Sequence, residues 1–186
     1  MLTSSVASRA LLVALVPMAL LACSDDSSDP GQANGSGFKK YDPCTLVSQA
    51  EAEAALGITL KVTRHDTDAV NATGQKICYY QDAASSDMKF VQISINEQAS
   101  MTGSLTAEQL YGSMKSGLTS PTAVAGVGDD AYYGGSGLKL GAGVTTLIKA
   151  KGMVINLMVG LGTGNADDNA HMTMEKDLAL KAIARL

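Results

Sequence analysis

Few residues of this chain have side chains suited to catalysis or metal binding. Its two histidines, His65 and His171, have neither a second histidine nor a free cysteine at the spacing of metal ligands. Asp66 and Asp68 beside His65 could bind a cation, although an exposed turn is the alternative interpretation. No G-x-S-x-G motif is present. The sequence therefore predicts no catalytic residue, no metal site and no cofactor, and a hydrolase site built from scattered residues is the alternative.

The most informative chemistry belongs to the cysteines, of which there are three. An odd number leaves at least one cysteine without an intramolecular disulfide partner. Cys23 follows an uncharged run over residues 10–21 that would span about 18 Å as a helix, short of the ~30 Å hydrocarbon core of a membrane. A short basic start, a short apolar run and a small residue before the break are typical of a secretory signal peptide, which we predict over residues 1–22.

The end of this segment, Leu20-Leu21-Ala22-Cys23, resembles a bacterial lipobox. In that motif a diacylglyceryl group is attached to the thiol, and cleavage leaves the cysteine as the first residue of the mature chain. We therefore predict lipid attachment at Cys23, and a chance cysteine after an ordinary signal peptide is the alternative. Two or three acyl chains anchor a protein stably, since each buried methylene contributes about 0.8 kcal/mol. The expected location is the outer face of the cytoplasmic membrane or the outer membrane, outside the cytoplasm.

Cys44 and Cys78 remain once Cys23 is assigned to the lipid. In an oxidising compartment they permit one intramolecular disulfide, which would close a loop of about 34 residues. Two free buried thiols or a redox pair are the alternatives. The chain has no C-x-x-C motif, which argues against redox chemistry.

Composition divides the chain into three predicted parts. After the signal peptide, residues 23–40 are rich in Ser, Asp, Gly and Asn and are predicted to form a disordered tether that reaches about 20–25 Å. Residues 41–186 are predicted to form a single globular domain. Cleavage removes one arginine and takes the net charge from −4 to −5, and this acidic balance argues against nucleic-acid binding.

Capping boxes and alternating apolar residues predict an α+β domain with the order α-βββ-α-βββ-α. Ser48 with Glu51 and Thr106 with Gln109 are capping boxes that start two helices. The predicted strands are residues 58–63, 76–81, 89–96, 129–133, 138–150 and 152–160. The last helix carries an apolar face predicted to be core: Met174, Leu178, Ala179, Ala182, Ile183 and Leu186. These elements predict an antiparallel sheet flanked by helices, possibly from a tandem α-βββ duplication.

Two glycine-rich segments are the remaining candidates for a binding site. The segment GVGDDAYYGGSG offers a candidate binding loop of Gly126, Gly128, Asp129, Asp130, Tyr132 and Tyr133, since tyrosines supply contact area at low entropy cost. The alternative is a turn into a strand whose tyrosines pack on the sheet. Gly160 and Gly162 lie between a strand and a helix with the spacing of a dinucleotide-binding motif, but Asn165 stands where that motif has its third glycine, so a β-to-α loop is predicted there.

The order of four segments resembles a known family. DPCTLVSQAEAEAALG at 42–57, CYY at 78–80, GVGDDAYY at 126–133 and KGMVINLMVG at 151–160 are similar to the actinobacterial-type cell-envelope lipoproteins grouped as domain of unknown function 3558. Tyr80 stands where that family usually has tryptophan. The resemblance implies a lipoprotein with a disulfide between Cys44 and Cys78, and it implies no known activity.

Together these observations predict a membrane-anchored, exported bacterial lipoprotein. The expected function is that of a non-catalytic binding or interaction module at the cell envelope, attached to the membrane through an acyl anchor at Cys23. An envelope protein, a glycan or a lipid is the expected partner. An extracytoplasmic hydrolase is the alternative, and a deep pocket with convergent polar groups would favour it.

Overall fold

A computed structural model describes residues 41–60, 62–66, 71–82 and 87–186. The predicted signal peptide, the lipid site at Cys23 and the tether lie outside the described residues, as does Asp68. No helix among the described residues is both long enough and apolar enough to cross a membrane.

Four α-helices and seven strands form the described part of the chain. The helices are α1 (Pro43–Leu46), α2 (Gln49–Leu56), α3 (Ala107–Ser116) and α4 (Asp168–Ile183). The strands are β1 (Val62–Asp66), β2 (Thr73–Asp82), β3 (Lys89–Met101), β4 (Thr122–Ala123), β5 (Asp130–Tyr133), β6 (Val144–Ile148) and β7 (Met153–Leu161). Both predicted capping boxes are present, at the starts of α2 and α3.

The strands form one antiparallel sheet in the order β1-β2-β3-β7-β6-β5-β4. Six strands make up its body, and β4 is a two-residue strand at one edge. Two meanders, β1-β2-β3 and β4-β5-β6-β7, join where β3 pairs with β7. The α+β prediction, an antiparallel sheet with helices packed against it, is confirmed.

The helices divide between the two faces of the sheet. On β3 and β7 the odd-numbered side chains face α1, α2 and α4 in the main core: Val91, Ile93, Ile95, Met153, Ile155, Leu157 and Val159. α3 packs on the opposite face in a smaller cluster: Ala107, Tyr111, Tyr132, Leu147 and Val154. In α4, Leu178, Ala179 and Ala182 are buried in the main core, as predicted for the last helix.

The two meanders are arranged alike, but their helices are not. The helices that precede the first meander, α1 and α2, lie on the main-core face, whereas α3, which precedes the second, lies on the other face. A duplicated α-βββ unit paired through its last strands would place both helices on the same face. The similarity between the halves therefore ends at the strands.

A disulfide joins Cys44 in α1 to Cys78 in β2, as the family resemblance implied, with a Cα–Cα distance of 5.1 Å. Both cysteines are buried in the main core. Beside the bond, the Tyr80 hydroxyl donates a hydrogen bond to the carbonyl oxygen of Val47 at 2.7 Å. Together the covalent bond and the hydrogen bond hold α1, which is only four residues long, against the sheet.

Two predicted strands start later in the structure than predicted, whereas β2 and β3 extend beyond the predicted residues 76–81 and 89–96. The first was predicted over 58–63 but begins at Val62, because Ile58 to Leu60 follow the Gly57 cap and the Leu60 N–H donates to Glu53 Oε1 at 3.0 Å. The strand predicted over 138–150 is β6, which covers only Val144–Ile148. Gly143 has φ +74°, which is outside the strand conformation, so β6 begins only at Val144, and a Cβ atom at position 143 would overlap the carbonyl oxygen of Leu157.

Replacing Cys44 with serine should lower the free energy of unfolding by about 3–4 kcal/mol, because the bond closes a 34-residue separation in the chain. Amide hydrogens of residues 41–57 should exchange before those of the sheet, since the link between α1 and β2 is lost. Denaturant unfolding and hydrogen exchange measure the two effects, and a Cys44→Ser/Cys78→Ser variant controls for the unpaired thiol. Recovery of both thiols free from non-reduced, alkylated protein would contradict the disulfide.

Candidate functional site

The predicted binding loop does not place its residues on one surface. Tyr132 and Tyr133 are consecutive in β5, so their side chains point to opposite faces of the sheet, and both are buried. Tyr132 packs against Tyr111 of α3 with the ring centroids 5.2 Å apart. This burial agrees with the alternative interpretation, in which the tyrosines pack on the sheet.

The glycines and acids of the same segment have structural partners or form the turn. Gly126 and Gly128 lie in the turn that leads into β5. Asp129 Oδ2 accepts a hydrogen bond from the Lys149 N–H at 2.7 Å, and Asp130 forms an ion pair with Lys115 at 3.2 Å. The six residues of the predicted loop therefore divide between a turn, the core and ion-pair or hydrogen-bond contacts.

A cavity of about 210 Å³ lies where β3 begins and β7 ends, next to α4 and to the loop between β5 and β6. We call it the α4 cavity. Its apolar lining is Met88, Phe90, Leu138, Met158, Val159 and Leu161. Glycines from both glycine-rich segments complete the wall: Gly135, Gly137, Gly143, Gly160, Gly162 and Gly164.

Glycine at position 160 is required by the packing of Phe90. A Cβ atom there would lie 2.3 Å from the Phe90 ring. Gly160, Gly162 and Gly164 thus belong to the end of β7 and the loop into α4, which agrees with the predicted β-to-α loop. The loop serves as a wall of the cavity.

His171 and Glu175 are the titratable side chains of this cavity. They stand four residues apart in α4, so both project from the same face of the helix. His171 is 3% exposed and Glu175 is 1% exposed. Both ring nitrogens of His171 and the Oε2 atom of Glu175 are buried without a hydrogen-bond partner among the described residues.

Such unpartnered atoms are unusual, because burying a polar group without a hydrogen bond costs about 1–3 kcal/mol. The other carboxylate oxygen of Glu175 does have a partner, since Oε1 accepts a hydrogen bond from the Val159 N–H at 2.9 Å. β6 starts at Val144, which pairs with Leu157, so Val159 lies beyond the last β6–β7 pair. Glu175 therefore satisfies a strand N–H that the glycine break before β6 leaves without a partner strand.

Burial raises the pKa of Glu175 from its ordinary value of 4.5 to about 8. The backbone N–H groups of Val159 and Val144 act in the opposite direction, and their effect is smaller than that of burial. At pH 7 the carboxyl group is therefore mostly protonated, and it can donate a hydrogen bond as well as accept one. A neutral donor inside an apolar cavity is suited to an uncharged acceptor group.

The loop between β5 and β6 is held to the start of α4 next to the cavity. The Tyr133 hydroxyl donates to Asp168 Oδ1 at 2.8 Å, and the Ser136 N–H donates to the same atom at 3.2 Å. The hydrogen bond from Tyr133 lowers the pKa of Asp168, whereas burial raises the pKa of Tyr133. Asp167 caps α4 by accepting hydrogen bonds from the N–H groups of Asn169 and Ala170.

From the sequence, His171 is only an isolated histidine, and Glu175 is not identified as a candidate site residue. One signal was present: both residues fall on the apolar face of the last helix, one and two turns before Leu178. A charged residue inside such a face is depleted in proteins unless it is paired or functional. The signal did not show a cavity, because the cavity requires the start of β6 to lie beside the end of β7.

The described residues contain no group of three His, Cys, Asp or Glu side chains that could hold a metal ion. A comparison of the chain with protein-family models, with curated proteins and with solved structures gives no match. The resemblance to domain of unknown function 3558 therefore stays a prediction. The function has to be inferred from the geometry of the α4 cavity.

Glu175→Gln should flatten the dependence of stability on pH. Because the pKa of Glu175 is higher in the folded protein, folding binds a proton between pH 4.5 and pH 8, and the free energy of unfolding falls as the pH rises through this range. The variant should lose this fall, which is on the order of a few kcal/mol. Urea unfolding at pH 5, 6.5 and 8 measures it.

Glu108→Gln, at an exposed position of α3, is the matched control and should keep the wild-type pH dependence. Equal slopes in wild type and Glu175→Gln would show that the carboxyl group titrates normally in the folded protein.

Proposed function

We propose that this protein is an exported, membrane-anchored lipoprotein whose domain is a non-catalytic binding module at the cell envelope. Its ligand occupies the α4 cavity. One observation carries the proposal: an apolar cavity contains two deeply buried titratable side chains, His171 and Glu175, that leave hydrogen-bonding atoms without partners. A ligand with a polar group would satisfy those atoms while its apolar part fills the space.

The size and lining of the cavity limit the ligand. A cavity of about 150 Å³ holds a benzene ring, so a volume of about 210 Å³ accommodates a ring or a short alkyl chain. The walls are side chains of Met, Phe, Leu and Val together with glycine backbone. Since Glu175 is mostly uncharged at neutral pH, an uncharged hydroxyl or carbonyl group is the matching polar part of the ligand.

Export and anchoring are proposed on different grounds. The disulfide between Cys44 and Cys78 is the type of bond that persists outside the cytoplasm. The sequence ending at Cys23 supports a lipid anchor, on the outer face of the cytoplasmic membrane or on the outer membrane. A ligand of the envelope, such as a lipid or a lipid-linked glycan, would meet a domain held there.

A hydrolase is the second candidate, and it has a specific observation in its favour. His171 and Glu175 share a cavity and could transfer protons as a general base and a general acid. The cavity lining contains no serine or cysteine, and its one hydroxyl side chain is that of exposed Thr163. A hydrolase would therefore need water as the nucleophile. Release of octanol from octyl acetate, abolished by His171→Phe, would favour this candidate over the binding module.

Cys23→Ala should leave the protein without a lipid and release it from the membrane fraction, because the diacylglyceryl group is attached to the sulfur atom of this cysteine. Metabolic labelling with a radioactive fatty acid in the native type of host, followed by fractionation, measures both effects. Cys44→Ser is the control and should still be labelled. Fatty-acid label on the Cys23→Ala protein would contradict the assignment.

Binding of 1-octanol tests the cavity directly. Titration calorimetry at pH 6.5 should show one site in the wild type. Leu161→Trp should abolish binding, because a larger side chain at this cavity-lining position fills the space. Glu175→Leu should weaken binding by about tenfold through loss of the hydrogen bond to the hydroxyl.

Leu180→Trp, on the exposed side of α4, is the matched control and should bind octanol as the wild type does. Melting temperatures confirm that each variant is folded. Absence of octanol binding to the wild type, or unchanged binding to folded Leu161→Trp, would refute the proposed site.

A further inference from the structure

We propose that the sheet face next to α3 binds the uncharged, hydroxyl-bearing part, such as a sugar, of an amphiphile whose apolar part occupies the α4 cavity. This inference rests on the binding function proposed above and specifies the class of ligand. Neutral polar side chains from three adjacent strands form the floor of the surface, which we call the amide groove: Gln75, Gln92, Ser94, Asn96 and Asn156.

The register of the sheet brings these five residues together. Gln92, Ser94 and Asn96 alternate along β3, so all three lie on the face opposite the main core. Asn156 of β7 pairs with Ser94, and Gln75 of β2 pairs with Asn96. α3 borders one side of the groove through Met114, and the loop between β5 and β6 contributes Leu138 and Leu140.

Hydrogen bonds within the protein determine which atoms remain for a ligand. The Asn156 side-chain NH₂ donates to the carbonyl oxygen of Ala142 at 2.7 Å and to Thr145 Oγ1 at 2.9 Å. The Asn96 NH₂ likewise donates to the Thr73 carbonyl oxygen and to its Oγ1, both at 3.0 Å.

These two donors are therefore in use, and the amide oxygens of Asn96 and Asn156 are the groups left to accept hydrogen bonds. A ligand that matches several neutral acceptors in one groove carries several hydroxyl donors. The floor holds no charged side chain, and Lys139 in the bordering loop is the charged residue of the lining. A charged head group would find no buried counter-ion there, which favours an uncharged group such as a sugar.

The groove and the α4 cavity share two lining side chains. Leu138 and Met158 line both, so a single ligand can extend from the apolar cavity across these two side chains onto the polar floor. Leu138 is 65% exposed and Leu140 is 81% exposed, which is unusual for leucine and places apolar surface at the junction. An amphiphile would cover this surface while its two parts meet the matching linings.

Octyl glucoside and 1-octanol are the matched probes, because they share the alkyl chain and the oxygen at its end, which would accept the hydrogen bond from Glu175 in both, and differ in the sugar. Calorimetry below the concentration at which either forms micelles should show octyl glucoside binding about tenfold tighter to the wild type, as expected for one or two additional hydrogen bonds. Octylphosphocholine, with a charged head group, should bind no tighter than octanol.

Gln92→Met/Ser94→Ala removes two polar groups from the floor. It should reduce the advantage of octyl glucoside to within about twofold while octanol binding is unchanged. Gln49→Met, an exposed position in α2, is the control and should keep the tenfold advantage.

The outcomes distinguish failure of this inference from failure of the proposed binding function. Octanol binding without an advantage for octyl glucoside overturns this inference and leaves the cavity proposal standing. A retained advantage in the folded groove variant, or an equal advantage for octylphosphocholine, overturns the assignment of the groove to an uncharged head group. Failure of both octanol and octyl glucoside to bind refutes the proposed function, and this inference with it.

Discussion

The pairing of β3 with β7 is the interaction on which the rest of the structure depends. It runs from Lys89 opposite Leu161 to Glu97 opposite Met153 and joins the two meanders into one sheet. Side chains on one side of these two strands form the centre of the main core, and those on the other side form much of the floor of the amide groove. A slip of one residue in this register would exchange the two sets, placing polar side chains in the core.

β3 and β7 run between two different ends of the domain. One end is where Tyr41 and Leu186 meet, and the other contains the α4 cavity. At the Glu97 end, the Tyr41 N–H donates to Glu97 Oε1 at 3.1 Å, Lys76 forms an ion pair with Glu97 at 2.9 Å, and the Tyr41 hydroxyl donates to the Leu186 carbonyl oxygen at 2.8 Å. These contacts join Tyr41 and Leu186, which are the first and last described residues. At the Lys89 end, glycine-rich loops surround the α4 cavity. The proposed binding site thus lies at the opposite end of the sheet from Tyr41 and Leu186.

Burial of Glu175 lowers the stability of the domain, whereas the proposed binding function uses its buried carboxyl group. Its carboxyl group satisfies the Val159 N–H, yet a buried carboxyl group with one unpartnered oxygen is less stable than a well-packed apolar side chain would be. Protonation reduces this cost, and the pKa of about 8 means that the protonated form dominates at neutral pH. A ligand that hydrogen-bonds the second oxygen would reduce the cost further, which links the unfavourable burial of this carboxyl group to binding.

Local features of the amino-acid sequence determined the α+β class and most of the elements. Capping boxes at Ser48 and Thr106 and the alternation along β3 act within a few residues, so they can be recognised without the fold. The Cys44–Cys78 bond was implied by short motifs that resemble a family. The tertiary structure alone decided the sheet order, the placement of α3 opposite α1 and α2, the late start of β6 after Gly143 and the cavity around His171 and Glu175. These features depend on contacts between residues far apart in the chain: only glycine fits at position 143, where a Cβ atom would overlap the Leu157 carbonyl oxygen, and the buried Glu175 accepts a hydrogen bond from the Val159 N–H beyond the last β6–β7 pair.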